Sequence, residues 1–148
     1  MSSLVCLYYH IVFSTKDRAL LLTPTLRERL WPYLGGIIRD QGGIALAVGG
    51  TADHVHVLAR LAKDRTIPDV LRELKGSSSH WVHEMSPELS FGWQAGYAAF
   101  TVGVRGVPQV QAYIARQEEH HWTTTFQDEL RAFLDQHGIE YDERYLWG

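Results

Sequence analysis

A single cysteine, Cys6, stands in 148 residues, so a disulfide framework is excluded and a reducing cytosol is the simplest home. Long apolar runs are missing as well. Leu4 to Phe13 is too short to span a bilayer and carries His10. The start also lacks the basic residues and small-residue cleavage site of a signal peptide. The expectation is a cytoplasmic protein with no membrane partner. Strong charge of either sign is absent too: the net charge is −3, which excludes a global basic field for nucleic acid. The balance is uneven, however. Residues 1–110 hold 11 Lys/Arg against 9 Asp/Glu, whereas residues 111–148 hold 3 against 8. A polyanion would therefore dock locally on the first part of the chain, where Lys16, Arg18, Arg60, Arg72 and Lys75 lie. No internal repeat, low-complexity stretch or inter-domain linker is visible. The length, with 45% apolar and 21% charged residues, suits one folded domain over 1–148.

What is present is an ordered series of patterns. Leu4 to Thr15 is rich in Val, Ile, Tyr and Phe and reads as a strand. Thr23-Pro24 marks a helix start, followed by Leu26, Leu30, Leu34, Ile37 and Ile38 at helical spacing. Pro32 and Gly35-Gly36 inside that pattern predict a kink or a break. Ile44 to Gly50 and His54 to Leu61 read as a hairpin joined by Thr51-Ala52-Asp53. Thr66 and Asp69 cap a second helix whose buried stripe is Ile67, Val70, Leu71, Leu74, Trp81, Val82 and Met85. Residues 86–96 form a loop, Tyr97 to Val104 is strand-like, and Pro108 opens a helix running to about His121. A last amphipathic helix spans about Thr125 to His137.

The order strand, helix, strand, strand, helix, strand predicts an α+β, ferredoxin-like fold. This split βαβ arrangement, also that of RNA-recognition domains, has an antiparallel sheet and here two additional C-terminal helices. Residues 1–105 would form the core, and 106–148 the two helices and tail. Such a sheet is covered on one face and leaves the other available.

The most informative stretch is Asp53-His54-Val55-His56. Two imidazoles at i and i+2 of a strand project from one face, which is the face predicted to be open. Tyr113 and Gln117 lie at i and i+4 on one helical face. Two imidazoles and a carboxamide oxygen can hold one divalent ion, and a phenol beside it can attack a phosphate. The phenol needs a nearby cation or base, because its ordinary pKa is about 10. Asp53 could hold a ring N–H from behind, and His120-His121 supply further imidazoles below Tyr113. Each feature also has an inert reading: surface histidines that pair with solvent, and a tyrosine at the edge of a core. Elsewhere, Lys75-Gly76-Ser77-Ser78-Ser79 lacks the strand approach of a phosphate loop, and Lys75 reads better as part of a solvated helix face. Lys16 and Arg18 suit either phosphates or a charged turn. Trp93 and Trp122 could stack on bases, with packing the simpler role. Tyr145-Leu146-Trp147 would dock the tail by burying aromatic area.

Four pieces in order resemble one family: His10-Ile11-Val12-Phe13-Ser14-Thr15-Lys16, Asp53-His54-Val55-His56, Gly96-Tyr97-Ala98-Ala99-Phe100, and Tyr113 to His121. They resemble the single-tyrosine HUH transposases of the insertion sequence 200/605 type, which include the transposases associated with repetitive extragenic palindromes. The resemblance implies a metal-dependent endonuclease and strand transferase acting on single-stranded DNA near hairpins. Its nucleophile would be Tyr113, which forms a 5′-phosphotyrosine link and frees a 3′-hydroxyl. It further implies His54, His56 and Gln117 as ligands of Mg²⁺ or Mn²⁺; the residues themselves suggest Asp53, His120 and His121 behind them. Lys16, Arg18, Arg72 and Lys75 would contact DNA. A homodimer and nucleoid association when bound to DNA complete the expectation. The extension from Phe126 onward also fits a domesticated hairpin-binding or nuclease protein without transposition. Three other readings stay open: a binding module without chemistry, a hydrolase using water, and a structural dimer.

Overall fold

Four strands pair in the order β2-β3-β1-β4, all antiparallel, in the computed structural model, which describes residues 1–147. They are β1 (Tyr8–Ser14), β2 (Ile44–Gly50), β3 (His54–Arg60) and β4 (Ala98–Val102). Helices α1 (Pro24–Asp40) and α2 (Ile67–Met85) provide the crossovers of a ferredoxin-like α+β fold. Four further helices follow: α3 (Val107–Ala115), α4 (Gln117–His120), α5 (Phe126–Gln136) and α6 (Glu143–Leu146).

Alternation along the two central strands divides the sheet into two faces. Ile11 and Phe13 of β1, with Val55, Val57 and Ala59 of β3, face α1 and α2 in the larger core. His10, Val12 and Ser14 share the opposite face with His54 and His56, since Val12 pairs with His56 and Ser14 with His54. That second face is not open. Val12 and Phe100 pack there with Phe126, Leu130 and Leu134 of α5. An apolar stripe at i, i+4 and i+8 on α5 needs a surface to cover, and this sheet face supplies it.

Several boundaries differ from the sequence patterns. The first strand begins at Tyr8, because its pairing with β3 and β4 starts there, and Leu4 and Leu7 are exposed. The α1 helix runs through Pro32 and Gly35-Gly36 without a break. Proline removes one hydrogen bond, while Leu30, Leu34 and Ile38 bury completely on both sides of it. Met85 is exposed at the end of α2. The helix expected from Pro108 to about His121 does split. Arg116 leaves helical geometry, and its N–H bonds back to Tyr113 O at 3.2 Å, a tightened turn separating α3 from α4. The caps follow the sequence closely: the Thr23, Thr66 and Thr125 side chains accept from the N–H groups of Leu26, Asp69 and Asp128.

Gly49 links the sheet to α3. It pairs with His56, and a Cβ there would lie 2.6 Å from Ile114 O and 2.9 Å from Ile114 Cγ2. The missing side chain therefore allows α3 to press against β2 one residue from Tyr113. Gly49→Ala is expected to push α3 away, at a cost of about 1–3 kcal/mol. Thermal unfolding would show the loss, and an unchanged melting temperature would contradict the close approach.

Candidate active site

The β2–β3 hairpin ends with Asp53 directly before the two histidines, and the structure uses that adjacency. His54 Nδ1 lies 2.8 Å from Asp53 Oδ1. Thr51 Oγ1 donates to the same carboxylate oxygen at 3.2 Å. Burial alone would raise the Asp53 pKa, but the His54 and Thr51 hydrogen bonds outweigh it and hold the carboxyl below its ordinary value. An ionised carboxylate only accepts, so His54 Nδ1 carries the proton. That leaves Nε2 as the ring nitrogen turned into the site.

His56 is held from the other side. Its Nδ1 lies 2.7 Å from His10 Nε2, a diagonal neighbour on β1. Its Nε2 lies 2.9 Å from Glu129 Oε1 on α5. Both His54 and His56 are completely buried, and the His54 ring stacks on Phe126 with centroids 4.5 Å apart.

The turn at Arg116 carries Gln117 inward until it is 1% exposed. Its Oε1 faces His54 Nε2 at 2.9 Å, and its Nε2 donates to Glu129 Oε2 at 3.0 Å. The carboxylate requires the donor end of the amide, which fixes the oxygen toward His54. When His54 carries its proton on Nδ1 alone, its Nε2 lone pair and Gln117 Oε1 are two acceptors 2.9 Å apart. A cation held by both would relieve that opposition, so the donor chemistry here fits a divalent metal.

Tyr113 donates its phenol proton to Glu129 Oε2. Burial first, and then the carboxylate beside it, push the phenol well above its ordinary range. Burial would raise the Glu129 pKa as well, yet hydrogen bonds from His121, His56 and Tyr113 outweigh it and hold its carboxyl far below the usual range. The proton thus stays on Tyr113 in this arrangement, and the phenol is at rest. His121 Nε2 lies 3.2 Å from Glu129 Oε2 and 3.1 Å from Gln117 Oε1. His120 Nε2 lies 3.3 Å from Glu129 Oε2 without hydrogen-bond alignment.

Tyr113, His54, His56, Gln117, Asp53, His120 and His121 thus converge, although they come from two distant segments. Glu129 is the residue that sequence reasoning missed. Its signal was present: it interrupts the stripe Phe126, Leu130, Leu134 of α5, where an acid 3% exposed must find partners. His10 was noticed only as part of the first strand.

Three clefts approach the cluster, one of them over Tyr113, Arg116 and His120. Another, of about 420 Å³, is lined by Tyr113, His120, Glu129 and Phe133. The third, of about 700 Å³, reaches Asp53 and His121 past Leu20 and Trp122. Trp122 is 79% exposed and does not pack, whereas Trp93 packs on Phe13 and donates Nε1–H to Ser78. Trp147 lies against Phe126, while Tyr145 is exposed. Of the basic residues, Lys16 is exposed and Arg18 lies over the Trp147 ring. Arg72 is exposed and pairs with Asp69. Lys75 departs from a solvated helix face: its Nζ donates to the carbonyls of Gln94, Ala95 and Gly96, tying down the approach to β4. Burial lowers its pKa to about 8.

The buried imidazoles have a consequence for stability. Burial, then the neighbouring His56 ring, lowers the His10 pKa to about 3. Burial lowers that of His56 to about 4, against the pull of Glu129. Below about pH 6.5 the unfolded chain takes up protons that the folded chain refuses, so stability falls with acidification through this window. His10 alone should remove about 2–3 kcal/mol by roughly pH 4.5. Urea unfolding with chelator present at neutral pH and at that acidic pH tests this, and equal midpoints would refute neutral burial.

Comparisons with known proteins bear on the family and the fold. The family model described as "Transposase IS200 like" matches residues 3–117. The chain is 29% identical over 119 residues to the ISDra2 transposase TnpA of Deinococcus radiodurans, covering 76% of this chain and 85% of that one. It is 29% identical over 117 residues to the transposase for insertion sequence element IS200 of Salmonella typhimurium, covering 75% and 76%. A crystal structure of a candidate transposase from Deinococcus radiodurans R1 superposes with a TM-score of 0.66 at 28% identity, over 79% of this chain and 95% of that one. A REP-associated tyrosine transposase bound to a REP hairpin has the same fold, with a TM-score of 0.62 at 18% identity, over 82% and 74%.

Proposed function

The chain belongs to the IS200-like transposase family, a group of DNA-cleaving enzymes, and from that premise we propose that it cuts and rejoins single-stranded DNA near hairpins with Tyr113 as nucleophile. The observation that carries this reading is the meeting of His54 and His56 from β3 with Tyr113 of α3 and Gln117 of α4. The family matches and the donor set both support a divalent ion, Mg²⁺ or Mn²⁺, held by His54, His56 and Gln117. Such an ion would polarise a phosphoryl oxygen and orient the phosphate for in-line attack.

The chain's own residues define the rest. The Tyr113 oxygen forms a bond to phosphorus and the phosphorus–3′-oxygen bond breaks. The products are a 5′-phosphotyrosine and a free 3′-hydroxyl, which takes up the proton. A second 3′-hydroxyl reverses the step on a new strand, releasing Tyr113. Each exchange conserves the phosphodiester, so no external energy source is needed. Glu129 must first leave the phenol, since its charge keeps the proton in place and would repel a phosphate. The clefts beside Tyr113 and His121 would give the strand a path, with Trp122 of one cleft available for stacking, whereas Lys16, Arg18 and Arg72 line none of them and would meet phosphates outside them. Tyr113 lies beside the histidines of its own chain, which supports action in cis within a homodimer that brings two cleaved strands together.

Cover over the sheet works against one rival. Base-stacking modules use an exposed sheet face, and here α5 occupies it. The second reading is a hairpin-binding or nuclease protein that no longer moves an element. Incubation with end-labelled single-stranded hairpins from the flanks of its own gene, with Mg²⁺ or Mn²⁺, tests the proposal. A protein–DNA species that survives denaturing electrophoresis is expected. Cleavage without that species would establish water as the nucleophile and overturn the tyrosine role.

A further inference from the structure

The cleft that reaches Asp53 and His121 holds a cation that the sequence patterns did not single out, Arg27 of α1. Its guanidinium is fixed in place. The side chain is 12% exposed, and Nη1 donates to Leu22 O at 2.6 Å. Leu22 is itself fully buried, and its N–H bonds to Ala52 O at 2.9 Å, in the turn before Asp53. Two hydrogen bonds thus tie Arg27 to the turn that leads into the histidine pair. Its Nη2 donates to Glu118 Oε1 at 3.0 Å. Glu118 is the loose half of that ion pair, with its side chain 70% exposed.

We propose that Arg27 is a positioning residue for the DNA backbone: a phosphate of the single strand displaces Glu118 from its guanidinium. This rests on the reading that the chain handles single-stranded DNA, and adds how the strand is gripped on the His121 side. A carboxylate already sits on the guanidinium, and a phosphodiester presents two anionic oxygens that fit the same fork. Exchange costs little. An exposed ion pair is screened by solvent and orders two long side chains, so Glu118 yields easily. Arg27 keeps its bond to Leu22 O throughout and needs no new ordering. Asp53, the other carboxylate beside His121, is engaged by His54 and Thr51, which leaves Glu118 as the anion that competes with DNA. Leu20 and Trp122 line the same cleft at 77% and 79% exposed, apolar surface suited to the base attached to that phosphate.

Fluorescence anisotropy of a labelled single-stranded hairpin from the flanks of its own gene tests this, with chelator so that no strand is cut. Arg27→Gln should weaken binding about five- to tenfold and flatten its salt dependence by about 0.7, the share of one phosphate on a single strand. Glu118→Gln should tighten binding about two- to fivefold, because it removes the competing anion. The double variant should bind like Arg27→Gln, since nothing is left to compete for. Arg27→Lys keeps the charge without the fork and should fall between. Circular dichroism establishes that each variant is folded, and Glu118→Gln, at an exposed position, carries the test if Arg27→Gln is not. A bridge that only ties α1 to α4 would make both single substitutions weaken binding or leave it unchanged, and either result overturns the proposal. The covalent adduct is read separately on the parent chain. Opposite shifts without an adduct would leave Arg27 in its role and remove the tyrosine chemistry; an adduct with parallel shifts would remove the Arg27 role alone. Absence of hairpin binding by the parent protein would overturn both.

Discussion

Tyr113→Phe should remove the covalent protein–DNA species, with a rate loss beyond about 10³-fold, because no other group can replace a deleted nucleophile. The fold should tolerate the change. Deleting the hydroxyl costs Glu129 one donor, but its Oε2 keeps Gln117 Nε2 at 3.0 Å and His121 Nε2 at 3.2 Å. The aromatic ring stays among His10, His56 and Phe133. A stability loss of about 1 kcal/mol is the scale for one hydrogen bond with the acceptor still served. Hairpin affinity should therefore change little, and filter binding alongside denaturing gels separates the two effects. An adduct that persists in Tyr113→Phe would end the assignment.

Replacing either strand histidine should be nearly as severe for a different reason. His54→Ala removes the ring that faces Gln117, and His56→Ala removes the ring that faces Glu129. Losing a residue that only orients a metal ligand costs 10–100-fold in many sites, so loss of a ligand itself should exceed about 100-fold in cleavage. His56→Ala also strips a donor from buried Glu129 and a partner from His10, at a cost of about 1–3 kcal/mol for each group left unpaired. Cleavage assays across a metal titration, paired with thermal unfolding, distinguish lost chemistry from lost fold. Full metal-dependent cleavage in both variants would refute the ligand roles.

Much of this was legible locally. The alternation of Val55, Val57 and Ala59 against His54 and His56 placed the imidazoles on one face, and the Thr-led helix starts at Thr23 and Thr66 announced their caps. Each depends on neighbours within four residues. What stayed hidden depends on distant packing. The α5 stripe of Phe126, Leu130 and Leu134 showed that the helix must cover something, but not that it would close the histidine face. Glu129 acquires meaning only there, where donors from β3, α3 and α4 and the turn after α4 surround one carboxylate. The break at Arg116 has no Pro or Gly to signal it, and it turns Gln117 to a fully buried position. Conversely, Pro32 signalled a break that the buried leucines and isoleucines of α1 override.

The central claim is that this cluster serves a tyrosine nucleophile, and the most direct test locates the bond itself. The adduct formed with a single-stranded hairpin would be digested with nuclease and protease, and its peptides sequenced by mass spectrometry. The account predicts a nucleotide phosphate on Tyr113 in the peptide that precedes Arg116. A phosphate on His120, on His121 or on any other tyrosine would contradict it.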